Sequence, residues 1–261
     1  MFALVDGNNF YASCEQVFQP HLRAKPLVVL SNNDGCAIAR CAQAKALGIG
    51  MGQPAHQLGE YVKRFGLQMR SANFGLYGDM SARVVSVLRE FCPRIEVYSI
   101  DESFLDLSGI RERLEFCHDL RFSIRQWTGI PCCIGIGPSK TLAKLANKWA
   151  KKNGGVIDIS EASARARILP QFPVEDLWGV GHKWSAKLHD RGIHSAQQLC
   201  DAGTDNLLQA FGVVMTRTQR ELQGRPCIGL EEQEPDRQQS FQHTALNQRD
   251  CFRQCHVRSQ N

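Results

Sequence analysis

In the run Glu96-Val97-Tyr98-Ser99-Ile100-Asp101-Glu102-Ser103-Phe104-Leu105-Asp106-Leu107, two short apolar stretches flank a polar turn that carries adjacent carboxylates. Residues 97–100 and 104–107 read as the arms of a hairpin. Carboxylates between apolar strands are costly to bury unless they are paired or bound to metal. A hairpin tip in water would explain Asp101 and Glu102 alone, since charged residues ordinarily sit in solvent. A third carboxylate ending another strand shifts that balance. Phe2 to Val5 is a β-capable run ending at Asp6, and Gly7-Asn8-Asn9 turns the chain sharply away from it.

The apolar spacing of Phe10, Cys14, Val17 and Phe18 predicts a helix just past Asp6. Strands follow at 27–30 and 37–39, then a short helix at 41–47 stopped by Gly48, and amphipathic helices at 53–65 and 77–91. A helix over 110–128 leads to an apolar strand at 131–136, then to a helix over 139–152 opened by Pro138 and capped by Ser139. This order predicts an α+β fold: a ferredoxin-like sheet with helices on one face and a separate small lobe inserted at about 11–73. After residue 157 the pattern is all-helical. Residues 174–181, a helix over 184–191 and another from Ser195 have the form of a helix-hairpin-helix. Its Gly179 and Gly181 would let backbone N–H groups approach a phosphate, although an ordinary packing turn uses the same glycines. Residues 231–261 lose periodicity and read as a disordered or atypical tail.

Composition narrows the class. Apolar content of 43% and charged content of 22% are ordinary for a globular chain. There is no run of about 18 apolar residues, so no membrane span is expected, and the N-terminus lacks the basic region of a signal peptide. The eleven cysteines are odd in number and scattered, which predicts free thiols in a reducing, cytoplasmic setting. Cys251, Cys255 and His256 have metal-like spacing but lack a fourth ligand.

If Asp6 ends a central strand beside the hairpin, Asp6, Asp101 and Glu102 converge. Three carboxylates so close need a compensating cation. Oxygen ligands without His or Cys select Mg²⁺, with Mn²⁺ as the alternative. Two such ions about 3.5–4 Å apart would clamp the attacking and leaving oxygens of a phosphoryl transfer. Lys140, Lys144, Lys148 and Lys152 repeat at i, i+4 with no acid between them, opposite a stripe of Leu142, Leu145 and Trp149. Like charges at that spacing disfavour a helix, so the row suggests either an anionic partner or a solvated face.

Three motifs, residues 5–15, 99–106 and 135–144, occur in an order that strongly resembles the Y-family translesion DNA polymerases, in their UmuC-type branch. The resemblance runs from Met1 to about Arg237. It implies a catalytic palm at 1–10 and 74–157, fingers at 11–73 and a helix-hairpin-helix thumb at 158–230. Asp6 and Asp101 would ligate two Mg²⁺ ions with the Gly7 carbonyl, and Glu102 the ion that activates the primer 3′-OH. Tyr11, with Phe10 beside it, would be the steric gate against a ribose. Lys151 and Lys45 would bind the dNTP triphosphate, with Ala42 standing where a phosphate-binding Tyr is common. Gly179, Gly181 and Lys183, with Lys144 and Lys148, would contact primer–template DNA. The family also implies the SOS response to DNA damage, a UmuD-like subunit and RecA as partners, and no membrane. Its little-finger domain has no counterpart here, so a truncated chain that binds DNA or partner subunits without useful synthesis is the alternative expectation. A sliding-clamp contact would lack its C-terminal region.

Overall fold

The structure is a computed structural model and describes residues 1–231. The expected tail beyond Glu231 and the Cys251, Cys255, His256 grouping lie outside the described residues. β1 (Phe2–Gly7) is buried along almost its whole length, as a strand must be when it is covered on both faces. Asn9, at φ 50°, takes the left-handed turn into α1 (Phe10–Phe18). The insert lobe then runs through β2 (Leu27–Leu30), β3 (Ala37–Arg40), α2 (Ala42–Ala46), α3 (Gly59–Phe65) and β4 (Gln68–Ser71), with sheet order β3-β2-β4.

Two expectations change here. The helix expected over 53–65 starts late, because Gln53 and Ala55 are spent on β3 and its approach: Ala37 N–H donates to the Gln53 carbonyl and Ala55 N–H to that of Gly35. A 3₁₀ turn, Ala55–Leu58, bridges to α3. β4 was not foreseen; its polar sequence carries no apolar alternation, and parallel pairing with β2 is what forms it.

The chain returns through α4 (Phe74–Phe91), β5 (Ile95–Val97), β6 (Glu102–Asp106), α5 (Arg113–Thr128), β7 (Cys132–Gly137), α6 (Lys140–Ala150) and β8 (Val156–Asp158). The five-stranded order β5-β6-β1-β7-β8, antiparallel around β1, contains the ferredoxin-like pattern, extended by a parallel β8. The first hairpin arm lies earlier than expected, since Tyr98 N–H and Ser99 N–H both donate to the Glu102 carbonyl and residues 98–101 become the turn.

Helices do not keep to one face. Val87 and Leu88 of α4 and Cys117, Leu120 and Ile124 of α5 pack with Ala3, Val5, Leu105 and Ile134. On the other face, Ala143 of α6 packs with Leu4 and Phe104. Gly135 admits this close approach: a Cβ there would lie 2.0 Å from the Asn147 nitrogen and 2.3 Å from the Ala143 carbonyl oxygen. Asn147 fastens the layer by donating to the carbonyls of Leu4 (3.1 Å) and Cys133 (2.8 Å). Strand alternation puts Asp6 and Leu4 on the α6 face, opposite Glu102 and Phe104.

The remaining helices are α7 (Ala162–Ile168), α8 (His182–His189), α9 (Ala196–Asp201) and α10 (Thr204–Leu222), the last kinked at Gly212. They share a core with Leu142, Leu145 and Ala146 of α6. After α10 the chain crosses back to the sheet. The buried Glu221 carboxylate accepts from the N–H groups of Thr141 (3.0 Å), Ile228 (3.1 Å) and Cys227, and Glu96 accepts from Glu231 N–H at 2.7 Å. Six of the described cysteines are buried, and all nine are free thiols. Among the described residues no helix is long and apolar enough to cross a membrane.

Candidate active site

Asp6, near the end of β1, and Glu102, which opens β6, are direct cross-strand partners. Asp101 precedes Glu102 in the turn, and its carbonyl accepts from Gly7 N–H at 2.8 Å, tying the strand end to the hairpin. Ser99 builds the turn: its hydroxyl donates to Asp101 Oδ1 at 2.8 Å and accepts from Glu102 N–H at 3.1 Å. The three carboxylates are therefore neighbours along the strand ends.

They do not converge on one point. Asp6 Oδ2 takes the Lys151 ammonium at 2.6 Å, Glu102 takes Lys144 at 2.9 and 3.1 Å, and Asp101 takes Ser99. Among the described residues, no three His, Cys, Asp or Glu side chains are gathered into a metal-holding cluster. Like charges part, and each takes the donor nearest to it. Their proximity still registers. Burial pushes the Asp6 carboxyl up to about 6, Lys151 pulls it back, and the charges of Asp101 and Glu102 add to the rise. Asp101 is raised as well, by burial first, against the Ser99 hydrogen bond and with help from Glu102. A set of carboxylate oxygens in which Asp6 and Asp101 resist ionisation suits a hard divalent cation, and in this geometry such an ion would have to displace ammonium groups.

Three members of the lysine row are paired with acids of the chain itself, whereas Lys152 is exposed. Lys140 pairs with buried Glu96, Lys144 with Glu102, and Lys148 with Asp176 at 2.6 Å. The anionic partner read from the row is, for these three, the protein's own set of acids. Lys148 remains about half exposed, whereas Lys144 is largely covered.

Tyr11 stacks on Tyr77 at 4.4 Å and meets Phe74 edge-on at 5.9 Å; Phe10 lies 6.1 Å away. Burial, then the Asp101 charge, pushes the Tyr11 hydroxyl up to about 12. Tyr77 is anchored by donating to the buried Glu15 at 2.8 Å. The ring wall thus stands close to the carboxylates. Lys45, on α2, has its ammonium pKa lowered by burial and then by the charges of Arg40 and Lys151, with Asp6 opposing. Arg40 was not foreseen as a member of this cationic group; one guanidinium N–H donates to the Ile49 carbonyl at 2.7 Å. Gly179, at φ 81°, and Gly181, which caps α8, form the expected turn, and Lys183 is exposed on the first turn of α8. Tyr98 and Trp178, which carry no local sequence signal, bracket Lys144.

Residues 5–148 match the impB/mucB/samB family. Protein UmuC of Salmonella typhimurium is 47% identical over 246 residues, covering 92% of this chain and 58% of the relative. DNA polymerase IV of Pelotomaculum thermopropionicum is 32% identical over 219 residues, covering 81% and 53%. The chain thus spans little more than half the length of these relatives. Among solved structures, an insertion ternary complex of Dbh DNA polymerase superposes with a TM-score of 0.77 at 23% identity, covering 88% of this chain and 70% of that one. At that identity the likeness establishes a shared fold.

Proposed function

We propose, on the premise that this chain belongs to the impB/mucB/samB family, that it carries out template-directed, error-prone translesion DNA synthesis, transferring a nucleotide from a dNTP to a primer 3′-OH. The observation that carries this reading is the pairing of Asp6 with Glu102 across two central strands, with Asp101 beside them. The five-stranded layer is then the palm, the insert lobe the fingers and the helical part the thumb.

In this reading Asp6, Asp101 and the Gly7 carbonyl would hold two Mg²⁺ ions, and Glu102 would be a further ligand of the ion that serves the primer 3′-OH. When bound, such ions lower the pKa of the attacking hydroxyl and neutralise charge on the transferring phosphate. Lys151 and Lys45 grip the triphosphate, and release of Lys151 from Asp6 would free both groups for these tasks. Tyr11, held flat on Tyr77, excludes the ribose 2′-OH, with Phe10 supporting it. Gly179, Gly181 and Lys183 meet the primer–template backbone, and Lys148 reaches it from α6. The reading also takes in damage-induced expression, a UmuD-like subunit and RecA as partners, all from the family likeness.

Primer extension with Mg²⁺ tests the reading. Extension is expected from the parent chain, and Asp101→Asn is expected to lose it by a factor on the order of 10² or more. Equal extension by both proteins refutes the assignment of Asp101. No extension by the parent, in the presence of tight primer–template binding, favours a chain that only binds DNA.

A further inference from the structure

Lys144 is held in three ways. Its ammonium donates to both oxygens of Glu102, at 2.9 and 3.1 Å. It also lies 4.4 Å from the centre of the Tyr98 ring and 5.2 Å from that of Trp178. The two rings are themselves fixed. Trp178 Nε1–H donates to the Tyr98 hydroxyl at 3.3 Å, the rings meet edge to face at 5.6 Å, and Phe104 packs against both. Three separate elements supply the parts: Tyr98 comes from the carboxylate hairpin, Lys144 from α6, and Trp178 from the segment that leads directly into the Gly179–Gly181 turn.

We propose that Lys144 is a positioning residue, a displaceable counter-ion for Glu102 kept in place by an aromatic cage that the thumb's Trp178 closes, so that the thumb sets how readily this carboxylate takes a divalent cation. The inference rests on the polymerase reading and deepens it. An ammonium bonded to both oxygens of a carboxylate competes with any metal for those oxygens. A cation against aromatic faces is stabilised further when water is largely excluded, and the Lys144 side chain is only 16% exposed. Displacing it therefore costs more than displacing a solvated lysine. Because one wall of the cage is a thumb residue, a shift of the thumb turn changes that cost without touching Glu102.

The test is direct binding of Mn²⁺ to the whole protein without DNA, followed by the electron paramagnetic resonance signal of the free ion. Lys144→Met is expected to tighten Mn²⁺ binding on the order of tenfold, since it removes a competing charge. Trp178→Leu, which leaves the ammonium in place, is expected to tighten it roughly two- to fivefold. Lys144→Arg keeps the charge and is expected to stay near the parent. These rises in affinity are not what a merely structural role would produce. Asp101→Asn serves as the reference, expected to weaken binding. Unchanged or weaker binding in Lys144→Met, alongside the expected loss in Asp101→Asn, overturns the counter-ion role and leaves the polymerase reading standing. Equal binding by Asp101→Asn and the parent overturns the metal assignment itself. Should Lys144→Met not fold, Trp178→Leu decides by the same sign.

Discussion

Lys140 looks, from spacing alone, like the first member of a ligand-facing row, yet it is 2% exposed and paired with Glu96, itself 8% exposed. Replacing Lys140 with Met keeps most of the volume, so little of the cost should come from a cavity. What is lost is the partner of a buried carboxylate. Removing one member of a buried ion pair costs about 3–5 kcal/mol, because the other charge is left uncompensated. The ammonium also lies 4.9 Å from the Phe104 ring centre, a contact that contributes about 0.5–2 kcal/mol. Glu96 keeps one donor, Glu231 N–H at 2.7 Å, which offsets part of the loss. Lys140→Met should therefore destabilise by about 3–5 kcal/mol in urea unfolding followed by circular dichroism.

The double variant Lys140→Met with Glu96→Leu separates a pair effect from a generic core effect. Removing both charges of a buried pair together is often neutral or stabilising. Glu231 is exposed, so its N–H can turn to water, and the double variant should lie within about 2 kcal/mol of the parent. A cost below about 1 kcal/mol for Lys140→Met, together with a shallower salt dependence of DNA binding, would refute the packing argument and return Lys140 to the ligand-facing row. A double variant less stable than the single would refute the pair argument alone.

Asp6 has a folded pKa of about 6 against an ordinary 3.8, so the folded chain holds a proton that the unfolded chain releases first. Its contribution is fully present below the unfolded value and is lost as pH rises through the folded one, about 3 kcal/mol in all. Urea midpoints should accordingly fall between pH 4 and 6 in the parent, roughly that window, and fall much less in Asp6→Asn; parallel profiles would contradict the shift. Tyr11→Ala removes the ring stacked on Tyr77, and discrimination between dNTP and rNTP in primer extension should drop on the order of 10²-fold. An unchanged ratio assigns the gate to another side chain.

Local periodicity carried most of the fold. Phe10, Cys14, Val17 and Phe18 predict α1 with the bounds it has, and Leu27-Val28-Val29-Leu30 predict β2. The misses share a physical cause, which is that the deciding partner is remote in sequence. Gln68-Met69-Arg70-Ser71 becomes a strand because β2 offers it an edge. Gln53 leaves its expected helix because Ala37 needs an acceptor. The carboxylates were legible because Asp6 lies at the end of one apolar strand and Asp101 and Glu102 at the turn into another, a placement that short-range pattern alone supplies. Arg40 and Trp178 carry no such local mark, since each acquires its neighbours only through tertiary packing.

The lysine row shows how much hangs on one topological choice. With all helices on a single face of the sheet, α6 would be remote from Asp6, Glu96 and Glu102, and its lysines would need an external anion. With α6 on the opposite face, Lys140 and Lys144 meet Glu96 and Glu102, and Lys151 meets Asp6, so that charges unbalanced along the helix are offset between elements. A signal for that choice was present in Gly135-Ile136-Gly137. Glycine at alternate positions of a buried strand marks a face where another backbone comes close, and the Cβ positions at Gly135 and Gly137 fall within 3 Å of α6 atoms. The face cleared by these glycines is the one that bears Asp6 and Glu102. The contact that packs the helix thus also delivers Lys144 and Lys151 to the carboxylates, and any substitution that lifts α6 from the sheet must disturb the charge balance of the site as well as its packing.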